Sequence, residues 1–236
     1  MNLYTRCDIL KIFNRYYVTM FSPTVQLIFQ TSCGICWLVA YVLIIYKGFV
    51  DKCLGMPLIA LCTNISWEFI FSFIHPYPPP LIYINYLWLL FDCIIFLQAI
   101  KFGSCEFTSL WVFLSYFVLS LVLSFCAVLF ITWEFKDFDG VYAGFGDCLM
   151  MSAMFISMFI HRDSLAGQSI YIASSKLIGT LFASIVSFDA GPFSYLFTYL
   201  YISIFVLDSI YLGMVWKATH NRQGYLPLDP GFASMI

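Results

Sequence analysis

Residues 109–131 read SLWVFLSYFVLSLVLSFCAVLFI, with no charged side chain from end to end. A helix needs about twenty apolar residues to cross the hydrocarbon of a bilayer, so this run predicts a membrane span. Working outward, apolar runs of similar kind lie near 25–46, 55–74, 82–100, 141–160, 169–188 and 195–216. The separators are polar or helix-breaking: Lys47 to Lys52, Pro76 to Pro80, Lys101 to Glu106, Lys136 to Gly140, His161 to Gly167, and a short break at Asp189 to Pro192. Seven spans therefore follow one another with short connections. The expected fold is all-α, an integral membrane bundle of seven transmembrane helices with an N-terminal amphipathic segment.

Composition agrees with this reading. The 236 residues are 62% hydrophobic and only 10% charged, with a mean hydropathy of +0.89, whereas soluble domains carry about 25% charged residues. The spans leave no room for a second domain. A single membrane domain over 1–236 is expected: an interfacial segment at 1–24, the bundle at 25–216 and a polar tail at 217–236. In the first segment Ile9, Leu10, Phe13, Tyr17 and Met20 recur at helical spacing, while Lys11, Asn14 and Arg15 take another face. Such a helix would lie in the membrane surface. Nothing in this segment reads as a cleavable signal peptide.

The formal charge is −2, and the eleven basic residues are scattered along the chain. Nucleic acid is excluded as a partner on that ground; membrane lipid is the expected surroundings. Nine cysteines fall almost wholly inside apolar runs, where a thiol packs as a small hydrophobe. Cys33 and Cys36 have redox-motif spacing, yet lack the further ligands a metal site needs. No metal and no cofactor are expected.

Basic residues also suggest an orientation. Lys47, Lys52, Lys101, Arg162, Lys217 and Arg222 would share one membrane side, against Arg6, Lys11, Arg15 and Lys136 on the other. The positive-inside rule then predicts a cytosolic C-terminus, and a eukaryotic source would suggest the endoplasmic reticulum. Lys176 lies inside the sixth run and is expected to snorkel to the headgroups.

Carboxyl groups in lipid-spanning helices should face the bundle interior, and each is a candidate for function. Glu68 shares a helix face with Asn64 and Ser72 at four-residue spacing. Asp208 has Tyr201 and Tyr211 on about its own face. Asp92 follows Asn85 and Trp88, and Asp147 follows Gly144. On ideal helix rise Glu68 stands about 9 Å from the outer boundary and Asp208 about 20 Å, so the two need not touch. Burial disfavours the charged form of an acid, which leaves a proton for donation. Trp67, Trp88, Phe91 and Tyr201 add ring faces that attract positive charge. An acid among such rings can protonate an apolar substrate and shield a carbocation. The competing readings are acids that only tie helices together, and a small proton-coupled membrane transporter.

The stretch Asn64-Ile65-Ser66-Trp67-Glu68-Phe69, together with Phe205-Val206-Leu207-Asp208-Ser209-Ile210-Tyr211, resembles the small seven-helix terpene cyclases of fungal meroterpenoid and indole-diterpene pathways, the pyripyropene and paxilline type. Length, span count and motif placement agree with that family along almost the whole chain. The resemblance implies an enzyme of secondary metabolism that opens the terminal epoxide of a prenyl chain on an aromatic or polyketide core. A carbocation cascade then closes the rings without metal or cofactor. It also implies that Glu68 and Asp208 are the essential acids, Glu68 protonating the epoxide and Asp208 assisting or positioning it. Asn64, Trp67, Trp88, Asp92, Asp147, Tyr201 and Tyr211 are expected to contact the apolar substrate.

Overall fold

A computed structural model describes residues 19–103, 107, 109–191 and 193–224. Among these residues there are seven helical spans and no strand. They are α1 (Pro23–Asp51), α2 (Leu58–Phe69), α3 (Leu81–Phe102), α4 (Leu110–Phe135), α5 (Val141–Arg162), α6 (Ile170–Ala190) and α7 (Tyr195–Gly224). Helix α2 continues through Ile70–Ile74 as a π-helical turn. Six of the helices are long and apolar enough to cross a bilayer, and the second, Leu58–Ile74, is shorter. The chain is thus an all-α, multi-pass membrane bundle.

Local chemistry explains the boundaries. Ser22, Ser109 and Ser169 begin α1, α4 and α6 by accepting hydrogen bonds from the amides of Val25, Val112 and Ile172. Helices α1, α4 and α5 stop at Lys52, Lys136 and Asp163, which adopt the left-handed conformation with φ of 52°, 53° and 43°. Two of the three terminators are the lysines of the predicted separators. Helix α7 runs eight residues beyond 216, to Gly224. Of the N-terminal segment, Ile9, Leu10, Phe13 and Tyr17 lie outside the described residues. Met20 is 70% exposed, and its amide donates to Asp189 Oδ1 at 2.6 Å.

The bundle is inverted relative to a soluble protein. Trp111, Leu123 and Ile202 are exposed on its outside, whereas the inner face of α4 carries Ser120, Ser124 and Thr132, all buried. Small and hydroxyl-bearing residues let helices approach closely when lipid gives no hydrophobic reason to associate. The Thr63 and Ser124 hydroxyls meet at 3.0 Å between α2 and α4.

Helix contacts close a ring in the order α1, α3, α2, α5, α7, α6 and back to α1, with α4 packed outside against α2 and α5. This arrangement leaves an interior toward which α1, α2, α3, α5 and α6 all turn side chains.

Candidate active site

A cavity of about 230 Å³ occupies that interior, with a mainly apolar wall. It lies toward the membrane face that carries the α2–α3 and α4–α5 turns, because Tyr77 and Asp139 contribute to its lining. Of the residues expected to form a site, Asn64, Trp67, Glu68, Trp88 and Asp147 line this one cavity, and Tyr41 joins them.

Glu68 is placed by the helix that bears it. It is 2% exposed, and the π-helical turn begins two residues later. Such turns interrupt the regular ladder of backbone bonds and are frequent at functional sites. Asn85 of α3 donates to the Glu68 carbonyl at 2.9 Å and to Ser72 Oγ at 2.8 Å, which pins this part of α2. In the side chain, Oε1 accepts from the Tyr41 hydroxyl at 2.8 Å. Oε2 is buried and has no hydrogen-bond partner among the described residues. Glu68 therefore has one oxygen that is held and one that is uncommitted.

Tyr41 ties three elements together. Its oxygen accepts from Asn64 Nδ2 at 2.8 Å, which aims its single proton toward the carboxyl groups. Asp92 Oδ2 lies 3.4 Å from the same oxygen, and the Asp92 carboxyl also meets that of Glu68. Asp92 is fully buried and stands behind Glu68, outside the cavity lining. Two carboxyl groups and one phenol thus form a compact cluster without a neighbouring cation among the described residues. Like charges so close in an apolar interior cannot all be ionised together.

The end of the cavity toward the α2–α3 and α4–α5 turns is built from rings and a turn. Trp67 Nε1 donates to the Gly140 carbonyl at 2.9 Å, and its ring packs on Phe71 and Tyr77 at 5.1 and 6.0 Å. Tyr77 in turn donates to the Asp139 carbonyl at 2.7 Å; burial pushes its phenol above the usual range. Gly140 has φ +65°, and a Cβ there would meet the Phe71 ring at 2.5 Å, so only glycine fits. Asp137 accepts from the amides of Val141 and Ala143 and anchors the start of α5. Its carboxyl is raised above the usual range, first by burial.

Lys176 corrects one expectation. It does not snorkel to the headgroups: it is 1% exposed and forms an ion pair with Asp208. Its ammonium also donates to Ser152 Oγ at 2.7 Å. A partner inside the bundle removes the reason to reach for water. Asp208 does not line the cavity; it borders a separate groove with Thr180, Ser184 and Tyr201. Tyr201 packs edge-on against Phe145, a cavity residue, and so stands one layer back. Tyr211 is buried against Phe155 away from the site.

The cavity also holds residues that the sequence reading missed, above all Tyr41. A tyrosine in mid-span needs a partner for its hydroxyl, and that signal was open to use. Trp37, Gly140 and the thiol of Cys33 also reach the lining.

Comparison with known proteins bears on this geometry. Residues 17–221 match the family of Pyr4-like transmembrane terpene cyclases. Among curated relatives, the Pyr4-family terpene cyclase mfmH of Annulohypoxylon moriforme is 29% identical over 159 residues, 65% of this chain and 66% of the relative. Asnovolin H synthase nvfL of Aspergillus novofumigatus is 29% identical over 178 residues, 70% of this chain and 72% of the relative. Terpene cyclase olcD of Penicillium canescens is 34% identical over 152 residues, 61% of each chain. The matched stretch thus spans about two-thirds of the length of these relatives. No solved structure matches the chain. With the family match running through the seven helices of the described residues, the chain belongs to the Pyr4-like transmembrane terpene cyclases.

Proposed function

We propose that this protein is an acid-initiated terpene cyclase, and that Glu68 protonates the terminal epoxide of a prenyl chain carried on an aromatic or polyketide core. The observation that carries the reading is the Glu68 carboxyl in the wall of an apolar cavity, with Oε1 held by Tyr41 and Oε2 uncommitted. A carboxylic acid fixed in that way presents its proton in one direction.

In the proposed step the Glu68 O–H bond breaks and the epoxide oxygen gains the proton. The C–O bond at the more substituted carbon then breaks, and the electron pair of the nearest alkene forms a C–C bond to that carbon. Positive charge moves down the chain as each further alkene attacks. Trp67 and Trp88 supply ring faces that favour the cation over water. Asn64 orients Tyr41, Tyr41 orients Glu68, and Asp92 backs the acid. Asp208, off the cavity and paired with Lys176, acts as a positioning residue.

An apolar substrate would reach this interior from the bilayer. The endoplasmic reticulum with a cytosolic C-terminus suits such a substrate and the basic-residue bias. Family membership favours this reading over a proton-coupled carrier. The test is turnover of an epoxidised farnesyl meroterpenoid panel by membranes containing the protein, beside the same compounds without the epoxide. Cyclic product from the epoxides alone is expected; equal turnover of the unepoxidised alkenes would overturn the proposal.

A further inference from the structure

A second chamber of about 230 Å³ adjoins the Glu68 cavity where α1, α3 and α6 meet. Trp67, Tyr77 and Trp88 stand in the walls of both. Gln30 of α1 and Leu81, Ile84 and Asn85 of α3 line the second chamber and not the first. Leu81 begins α3, so this space lies at the end of the bundle that carries the α2–α3 turn. Pockets for small molecules hold about 300–1,000 Å³. The Glu68 cavity alone falls short of that range, and the two chambers joined are of that order.

Two polar atoms distinguish the second chamber. Asn85 is 1% exposed, and its Nδ2 donates to the Glu68 carbonyl at 2.9 Å and to Ser72 Oγ at 2.8 Å. A carbonyl can only accept, so the amide cannot be turned end for end, and Oδ1 points away from those partners. Oδ1 is buried and has no hydrogen-bond partner among the described residues; the same holds for Trp88 Nε1. Residues 85 and 88 are three apart and so share one face of α3. Buried polar groups are as a rule satisfied. One acceptor and one donor side by side complement a hydroxyl group, which gives its proton to the first and accepts from the second. A prenyl chain offers neither.

We propose that the second chamber binds the aromatic or polyketide core of the substrate, and that a hydroxyl of that core donates to Asn85 Oδ1 and accepts from Trp88 Nε1. The prenyl chain then passes the shared rings into the first cavity, where its terminal epoxide meets Glu68. Asn85 also holds the Glu68 carbonyl, so recognition of the core and placement of the acid share one side chain. Asn85 and Trp88 select substrates by the core, and Glu68 acts on the far end of the chain. This inference rests on the epoxide-opening reading above.

The experiment measures kcat and KM for membranes holding the wild type, Trp88→Phe and Ile84→Phe, each checked for a single folded species in detergent. The probes are the epoxide with a hydroxylated core that the wild type converts, and its analogue with hydrogen in place of that hydroxyl. In the wild type the hydrogen analogue should have a KM about tenfold higher. Trp88→Phe keeps a ring and removes the N–H. It should raise KM about tenfold for the hydroxyl probe and leave that of the hydrogen analogue within about twofold, whereas a weaker ring face would lower kcat for both alike. Ile84→Phe puts a ring into the second chamber only; it should raise KM at least about tenfold with kcat within about threefold of wild type, a split that general disruption would not give. Equal KM values for the two probes in the wild type would overturn the assignment, and that result needs no variant to fold. So would a folded Trp88→Phe that raises KM equally for both probes, or a folded Ile84→Phe with wild-type KM. A wild type that converts no epoxide sinks the epoxide-opening reading itself, a distinguishable failure.

Discussion

Replacing Tyr41 by Phe removes one hydroxyl and leaves the ring. That hydroxyl donates to Glu68 Oε1 at 2.8 Å and accepts from Asn64 Nδ2 at 2.8 Å. Tyr41 and Glu68 are 3% and 2% exposed, so water does not replace the lost partner without rearrangement. Leaving a buried polar group unpaired costs about 1–3 kcal/mol, and here one donor and one acceptor lose the same partner. Asn64 and Glu68 share a helix face and can partly turn toward each other, which places the expected loss of stability near 2 kcal/mol. The effect on rate has a different origin. Without the phenol, either Glu68 oxygen can face the cavity, and the acid is no longer held toward the substrate. A penalty of about 1.4 to 2.7 kcal/mol in the transition state corresponds to a 10- to 100-fold fall in kcat. The assay is kcat and KM on the converted epoxide, with thermal unfolding of the detergent-extracted protein run in parallel. A folded Tyr41→Phe variant with kcat within about twofold of wild type would refute the orientation argument.

Two further substitutions probe the cavity wall. Gly140→Ala places a methyl group 2.5 Å from the Phe71 ring at a φ of +65°, and should lower stability by at least about 1–2 kcal/mol, read as a lower unfolding temperature. Gly144→Ala brings a methyl group to 3.3 Å from Trp67 Nε1 at the cavity edge. It should raise KM several-fold while the unfolding temperature changes little, because the ring can yield only into the cavity.

The seven spans were legible because lipid imposes one requirement on every helix, a long apolar run, and charged or proline-rich turns separate the runs. Asn64, Glu68 and Ser72 were legible for a related reason, since a polar stripe at four-residue spacing has to face other helices. What the sequence hid depends on contacts between distant segments. Lys176 looks like a snorkelling residue on α6 alone; only the packing of α5 and α7 brings Ser152 and Asp208 to it. Tyr41 looks like one more ring in an apolar run until Glu68, 27 residues on, closes over its hydroxyl. Asp92 and Asp147 share the same chemistry in the sequence but part in the structure, one behind Glu68 and the other in the cavity wall. The π-helical turn after Glu68 has no visible signature in the residues that form it.

The central claim is that Glu68 delivers the proton that starts the cascade. Glu68→Gln keeps the shape of the side chain and an oxygen for Tyr41 to donate to, and removes only the acidic proton. The deciding measurement is product formation from the epoxidised substrate by this variant, with expression and folded fraction matched to wild type. The account predicts a loss of about 1,000-fold or more, within the range that a general acid supplies. Cyclic product at a rate within about tenfold of wild type would contradict it.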